Sequence, residues 1–114
     1  MKLEVGQSAR LKSGYICKII NINDFREPNM KYGVEANYLK DIMFIGDDDI
    51  VKASYNIIDI LEVGDYVNGH RVEEIDFDNE EIFTDSEYYC GIVEFCNIKS
   101  VITHEQIEQM EYRI

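Results

Sequence analysis

The sequence predicts an all-β fold, or a β-rich α+β one: a small barrel or sandwich of short antiparallel strands with a short helical turn before the last strand. Three observations carry this expectation. Short apolar segments recur at close spacing, separated by Gly, Asn, Asp and Ser. Asn68-Gly69, between Tyr66-Val67 and His70-Arg71-Val72, is the strongest short-range hairpin signal, because a two-residue type I′ turn needs positive φ at both central positions. Segments with helical character are few, and the one near the C-terminus has room for only a turn or two.

Taken in order, residues 9–13 and 15–25 read as two strands around Gly14. In the second, Cys17, Ile19 and Asn21 share one face while Ile16, Lys18, Ile20 and Ile22 share the other; the imperfect alternation fits a strand covered on both sides. Residues 23–33 read as a loop punctuated by Pro28, the only proline, and by Gly33. Phe25, Met30, Tyr32 and, just beyond, Tyr38 stand there beside Arg26 and Lys31, the most basic and aromatic candidate surface in the chain. Residues 39–45 read as a strand ended by Gly46, and Asp47-Asp48-Asp49 as an acidic turn. Residues 50–55 and 57–61 read as one bulged strand or two short ones around Asn56.

Gly64-Asp65 breaks the chain before the Asn68-Gly69 hairpin, whose second strand runs over 70–77. Residues 78–80 form another turn, 81–84 a strand, and 85–91 a loop. Strands follow at 92–95 and 98–103, broken near Cys96-Asn97; a helical turn covers 104–109, and 111–114 is the final strand. That ending is similar in shape to the end of SH3-like small barrels, a likeness that carries no function. The length of 114 residues favours a single domain over 1–114.

No apolar run approaches the roughly 20 residues of a membrane span, and the N-terminus lacks an apolar signal-peptide core. A cytoplasmic location is the expectation. Cys17, Cys90 and Cys96 are an odd set in a chain without a secretion signal, which favours buried, reduced thiols. The net charge of −12 is unevenly placed: residues 1–40 balance at +3 and residues 41–114 at −15. Such a field repels nucleic-acid backbones and favours a basic protein partner, although acidic surfaces also serve solubility alone.

The candidate partner-binding residues follow from that field: Glu73, Glu74, Asp76, Asp78, Glu80 and Glu81 first, then Asp47, Asp48 and Asp49. On an alternating strand Glu74, Asp76 and Asp78 line one side and Ile75 and Phe77 the other. The competing reading is a solvated face that keeps an edge strand from pairing with another chain. Asp76, Asp78, Glu80 and Glu87 occupy positions 1, 3, 5 and 12 of a calcium-loop pattern, but Glu81 stands where the turn needs Gly. Cys90 and Cys96 with His104, and His70 or Cys17, lack the paired spacing of a zinc site. No nucleophile elbow, phosphate loop or dinucleotide fingerprint is present. A Cys17 or Cys90 nucleophile with His70 or His104 as base is the catalytic alternative, since such pairs meet only in the fold. No catalytic residue, metal or cofactor is assigned.

Residues 52–69, Lys52-Ala53-Ser54-Tyr55-Asn56-Ile57-Ile58-Asp59-Ile60-Leu61-Glu62-Val63-Gly64-Asp65-Tyr66-Val67-Asn68-Gly69, resemble small proteins encoded by phages and integrated elements of Gram-positive bacteria. The tail at 97–114, Asn97-Ile98-Lys99-Ser100-Val101-Ile102-Thr103-His104-Glu105-Gln106-Ile107-Glu108-Gln109-Met110-Glu111-Tyr112-Arg113-Ile114, resembles the ending of the same group. The two stretches make up about a third of the chain. The resemblance supplies no catalytic residue. It implies a non-enzymatic inhibitor of a host defence effector, anti-CRISPR proteins being one kind, that presents carboxylates to a basic, nucleic-acid-binding cleft in the host cytoplasm. Two alternatives are a phage structural or accessory protein that self-associates through Phe25, Met30, Tyr32 and Tyr38, and a small-molecule or metal binder using the thiols and imidazoles.

Overall fold

The computed structural model describes residues 3–36 and 39–110. The chain forms two compact units, Met1–Ile60 and Leu61–Ile114, each holding one antiparallel sheet of five strands. The first sheet contains β1 (Ser8–Leu11), β2 (Ile16–Ile22), β3 (Tyr32–Glu35), β4 (Met43–Ile45) and β5 (Ile50–Ser54), in the order β4-β3-β2-β1-β5. The second contains β6 (Tyr66–Val67), β7 (His70–Asp76), β8 (Glu81–Thr84), β9 (Ile92–Glu94) and β10 (Val101–Ile102), in the order β10-β6-β7-β8-β9. Helix α1 (His104–Met110) follows β10. The β-rich class expected from the short punctuated strands is the one observed. The expected last strand at 111–114 lies outside the described residues.

The core of the first unit gathers Ala9, Leu11, Cys17, Ile19, Tyr32, Val34, Ile45 and Ile50. The imperfect alternation of β2 has a local cause. Its register against β3 shifts between Ile19 and Asn21, so Cys17 and Ile19 face the core, the extra residue turns the strand over, and Ile22 packs against that same core. Arg10 is fully buried, and its Nη1 donates to the Ile60 carbonyl at 3.0 Å.

Three sequence expectations are corrected in this unit. Residues 32–35 are a strand, not the end of a loop, and Gly33 is there for close approach: a Cβ would lie 3.2 Å from Asn21 Cβ and 3.4 Å from the side chains of Ile42 and Phe44. Only 43–45 of the expected strand at 39–45 is extended. The run after Asn56 is a 3-10 turn, Ile57–Ile60, because Ser54 Oγ bonds both Asp59 Oδ2 (2.6 Å) and Asn56 N (3.1 Å) and curls the chain. A short apolar run cannot by periodicity alone be told from a strand.

In the second unit Asn68 (φ 52°) and Gly69 (φ 85°) form the anticipated turn, pairing Val67 with His70 and Tyr66 with Arg71. Asn68 does more than turn the chain. Its Oδ1 accepts from Lys99 N (2.7 Å) and Ser100 N (3.1 Å), and its Nδ2 donates to the Asn97 carbonyl at 3.0 Å. These bonds dock residues 97–100 beside β6 and set up the β6–β10 pairing. Val67, Val72 and Ile82 are fully buried in this unit.

Candidate functional site

Charge separates along the division into units. The first unit carries nine Asp/Glu against eight Lys/Arg, whereas the second carries fourteen against three. Within the second, β7 is bulged: its register against β8 shifts between Val72 and Glu74, so Glu73 and Glu74 are both exposed where regular alternation would have buried one. Arg71 Nη2 lies 3.7 Å from Glu73 Oε1, a surface pair of small energetic consequence.

Beyond Asp76 the expected faces do not hold, because the strand ends there. Phe77 lies in the turn, 54% exposed, with its ring edge-on to Phe95 at 6.1 Å. Asp76 is not a projecting contact. Its Oδ1 accepts from Asp78 N and Asn79 N, both at 3.1 Å, and its Oδ2 from Asn79 Nδ2 at 2.7 Å. Those bonds, the Asn79 side chain first, hold the Asp76 carboxyl below its ordinary 3.8. Asp78 and Glu80 are exposed at the hairpin tip, with Glu80 at φ 53°. Glu81 is half-buried and stands in register between Asp76 of β7 and Glu94 of β9. The exposed acidic set on this sheet is therefore Glu73, Glu74, Asp78 and Glu80, extended by Glu94, with Asp76 and Glu81 set back.

Asp47, Asp48 and Asp49 form an exposed 3-10 turn in the first unit. Asp47 Oδ1 accepts from the Tyr32 hydroxyl at 2.6 Å, and Asp49 Oδ2 from Gly46 N at 3.0 Å. Asp47 thus ties the turn to β3, and Asp49 closes the turn itself. Of the expected aromatic contact surface, Phe25 is fully exposed and Met30 42% exposed. Tyr32 is 1% exposed and belongs to the core, since β3 points it inward; burial and the Asp47 bond push its hydroxyl above the ordinary 10.0. Tyr38 lies outside the described residues. Arg26 is a loop staple, donating to Asn21 Oδ1 (2.7 Å), Met30 O (2.8 Å) and Lys31 O (3.0 Å), with its guanidinium 4.7 Å from the Phe44 ring centre.

The thiols divide. Cys17 is buried as anticipated, but Cys90 and Cys96 are exposed. Among the described residues no cysteine is hydrogen-bonded to a histidine: Cys17 Sγ faces the Ala9 carbonyl at 3.8 Å and Cys96 Sγ faces Glu94 Oε2 at 3.7 Å. Burial pushes the Cys17 thiol from 9.0 up to about 11. The folded state therefore favours the neutral thiol, and stability should fall as pH rises from about 9 to about 11, where only the unfolded chain ionises. Urea unfolding at a series of pH values checks this, with Cys17→Ala expected to flatten that stretch of the profile.

The sequence did not bring together Glu62, His104 and Glu105, which the fold does. His104 Nε2 lies 3.1 Å from Glu62 Oε1 and 3.3 Å from Glu105 Oε1, and His104 Nδ1 lies 3.8 Å from Glu108 Oε1. Among the described residues these three are the group whose ligand atoms could surround a metal ion, all within 4.8 Å of one another. Asp65, fully buried, sets the arrangement: its Oδ2 accepts from Glu62 N (2.8 Å) and its Oδ1 from His104 N (2.9 Å). Thr103 and Gln106 form a capping box, with Thr103 N donating to Gln106 Oε1 (3.1 Å) and Gln106 N to Thr103 Oγ1 (3.3 Å). The Thr-x-x-Gln spacing of that box is the signal that marks the helix start and puts His104 and Glu105 in its first turn. His70, by contrast, has Nδ1 3.8 Å from Asp85 Oδ1.

Comparison with known proteins finds no matching family model, curated protein or solved structure. Among the described residues no helix is long and apolar enough to cross a membrane.

Proposed function

We propose that this chain is a non-enzymatic acidic binding protein that occupies a basic, nucleic-acid-binding surface on a partner protein. The observation that supports it most is the concentration of fourteen carboxylates against three basic residues in the second unit. Glu73, Glu74, Asp78 and Glu80 project from one hairpin of that unit. Exposed carboxylates held on a hydrogen-bonded hairpin present the negative charge that a phosphate-binding cleft attracts, and they steer encounter at long range. The resemblance at 52–69 and 97–114 supports the particular form of this reading: a phage-encoded inhibitor of a host defence effector, of anti-CRISPR type, acting in the host cytoplasm.

The test is charge reversal. With Glu73→Lys, Glu74→Lys, Asp78→Lys and Glu80→Lys combined, association with purified CRISPR effectors should slow by roughly 10- to 1000-fold at low salt and lose most of its salt dependence. Binding that survives the reversal removes the hairpin from the account. Phe25, fully exposed in the loop that also carries the part-exposed Met30, favours one second reading, self-association through that loop. A stable oligomer by light scattering that Phe25→Ala dissolves would support it over the first.

A further inference from the structure

We propose that Glu62, His104 and Glu105 bind one divalent transition-metal ion, with the chemistry best matched by Zn²⁺, which clamps the first turn of α1 to the loop at 61–65. The donor set is one imidazole nitrogen and two carboxylate oxygens, the mixture that borderline cations take. The distances fit. A tetrahedral zinc with bonds of about 2.0–2.1 Å places its donor atoms about 3.3 Å apart. His104 Nε2 stands 3.1 and 3.3 Å from the two carboxylate oxygens. All three donors lie within 4.8 Å, so a small closing movement of the carboxylates completes the triangle.

A plain ion pair accounts for this geometry less well. Nε2 offers one proton along one direction, yet two carboxylate oxygens converge on it. A metal ion takes the place of that proton and engages all three groups at once. The surroundings resemble a prepared site. Asp65 grips the backbone N–H of both Glu62 and His104, residues that are distant in sequence. Gly64, at φ 99°, lets the loop turn beside His104; a Cβ there would sit 3.8 Å from His104 Cβ. On the far side of the ring Glu108 faces Nδ1, the position from which a carboxylate orients a metal-bound histidine. The ligand side chains are 27–33% exposed, so an ion can enter from solvent and water can fill the fourth position.

The experiment is zinc titration of the full chain by calorimetry, with a thermal-shift readout in parallel. It uses a Cys90→Ser, Cys96→Ser background, because exposed thiols bind zinc on their own. One equivalent should bind, raise the melting temperature, and be removed by a chelator. Glu62→Gln and Glu105→Gln preserve size and hydrogen bonding, and each should weaken binding at least tenfold; His104→Ala should abolish it. Cobalt substitution should give the visible absorption of a tetrahedral nitrogen/oxygen site. Absence of one-site binding overturns the proposal. So does affinity unchanged in the glutamine variants, or a cobalt spectrum showing thiolate ligation. If His104→Ala does not fold, the two glutamine variants decide.

Discussion

The Gly91→Ala substitution is expected to lower stability by roughly 3–4 kcal/mol, read as a shift in the urea midpoint at constant slope. Two independent costs meet at this position. Its φ of 76° is left-handed, which a side chain tolerates poorly, and an added Cβ would stand 2.3 Å from the Thr84 carbonyl oxygen and 3.2 Å from that of Ser86. Those neighbours are backbone and cannot swing aside. They are also committed, since Thr84 Oγ1 bonds the Gly91 carbonyl at 2.9 Å and closes the loop between β8 and β9. Gly69→Ala separates the two costs. Gly69 is left-handed too, at φ 85°, but has nothing within 4 Å of the added atom. It should lose only about 1–2 kcal/mol. Equal losses at both positions would show that the clash at 91 relaxes freely.

The second large effect is expected at Asp65. Asp65→Ala removes the acceptor for both Glu62 N and His104 N, and should cost roughly 3 kcal/mol, since it breaks charge-assisted bonds and strands two backbone donors. Asp65→Asn retains one acceptor oxygen and should lose about half as much. Hydrogen exchange locates the damage: the amides of 62 and of 104–107 should lose protection first, ahead of β7 and β8. Uniform loss of protection across the second sheet would mean that Asp65 supports the whole unit, and not the helix start alone.

Both substitutions fall in the unit that displays the acidic hairpin. Gly64-Asp65 reads as a chain break, and it is one. Nothing local says that the aspartate turns inward to receive two amides from segments separated by some forty residues. Asn68-Gly69 was legible as a type I′ turn because the constraint is local: both residues must adopt positive φ. The second role of Asn68, binding the backbone of 97–100, depends on a segment the turn has never met in sequence. Gly33 is the opposite case. Glycine punctuates loops, but here it sits inside β3, where the side chains of Ile42 and Phe44 crowd its surface. Glu73 and Glu74 show the limit of alternation, since one bulge exposes both.

The β-rich class, the central hairpin, the strand at 81–84 and the uneven negative charge follow from the residues alone. Each depends on composition or on the conformational preferences of a few adjacent residues. Which carboxylates project and which are tied into turns, that Tyr32 is core, and that Glu62, His104 and Glu105 converge emerge only from the folded chain. Those outcomes depend on strand register and on contacts between residues far apart in the chain. One extra residue in a strand reverses every face that follows it, and no local preference records that.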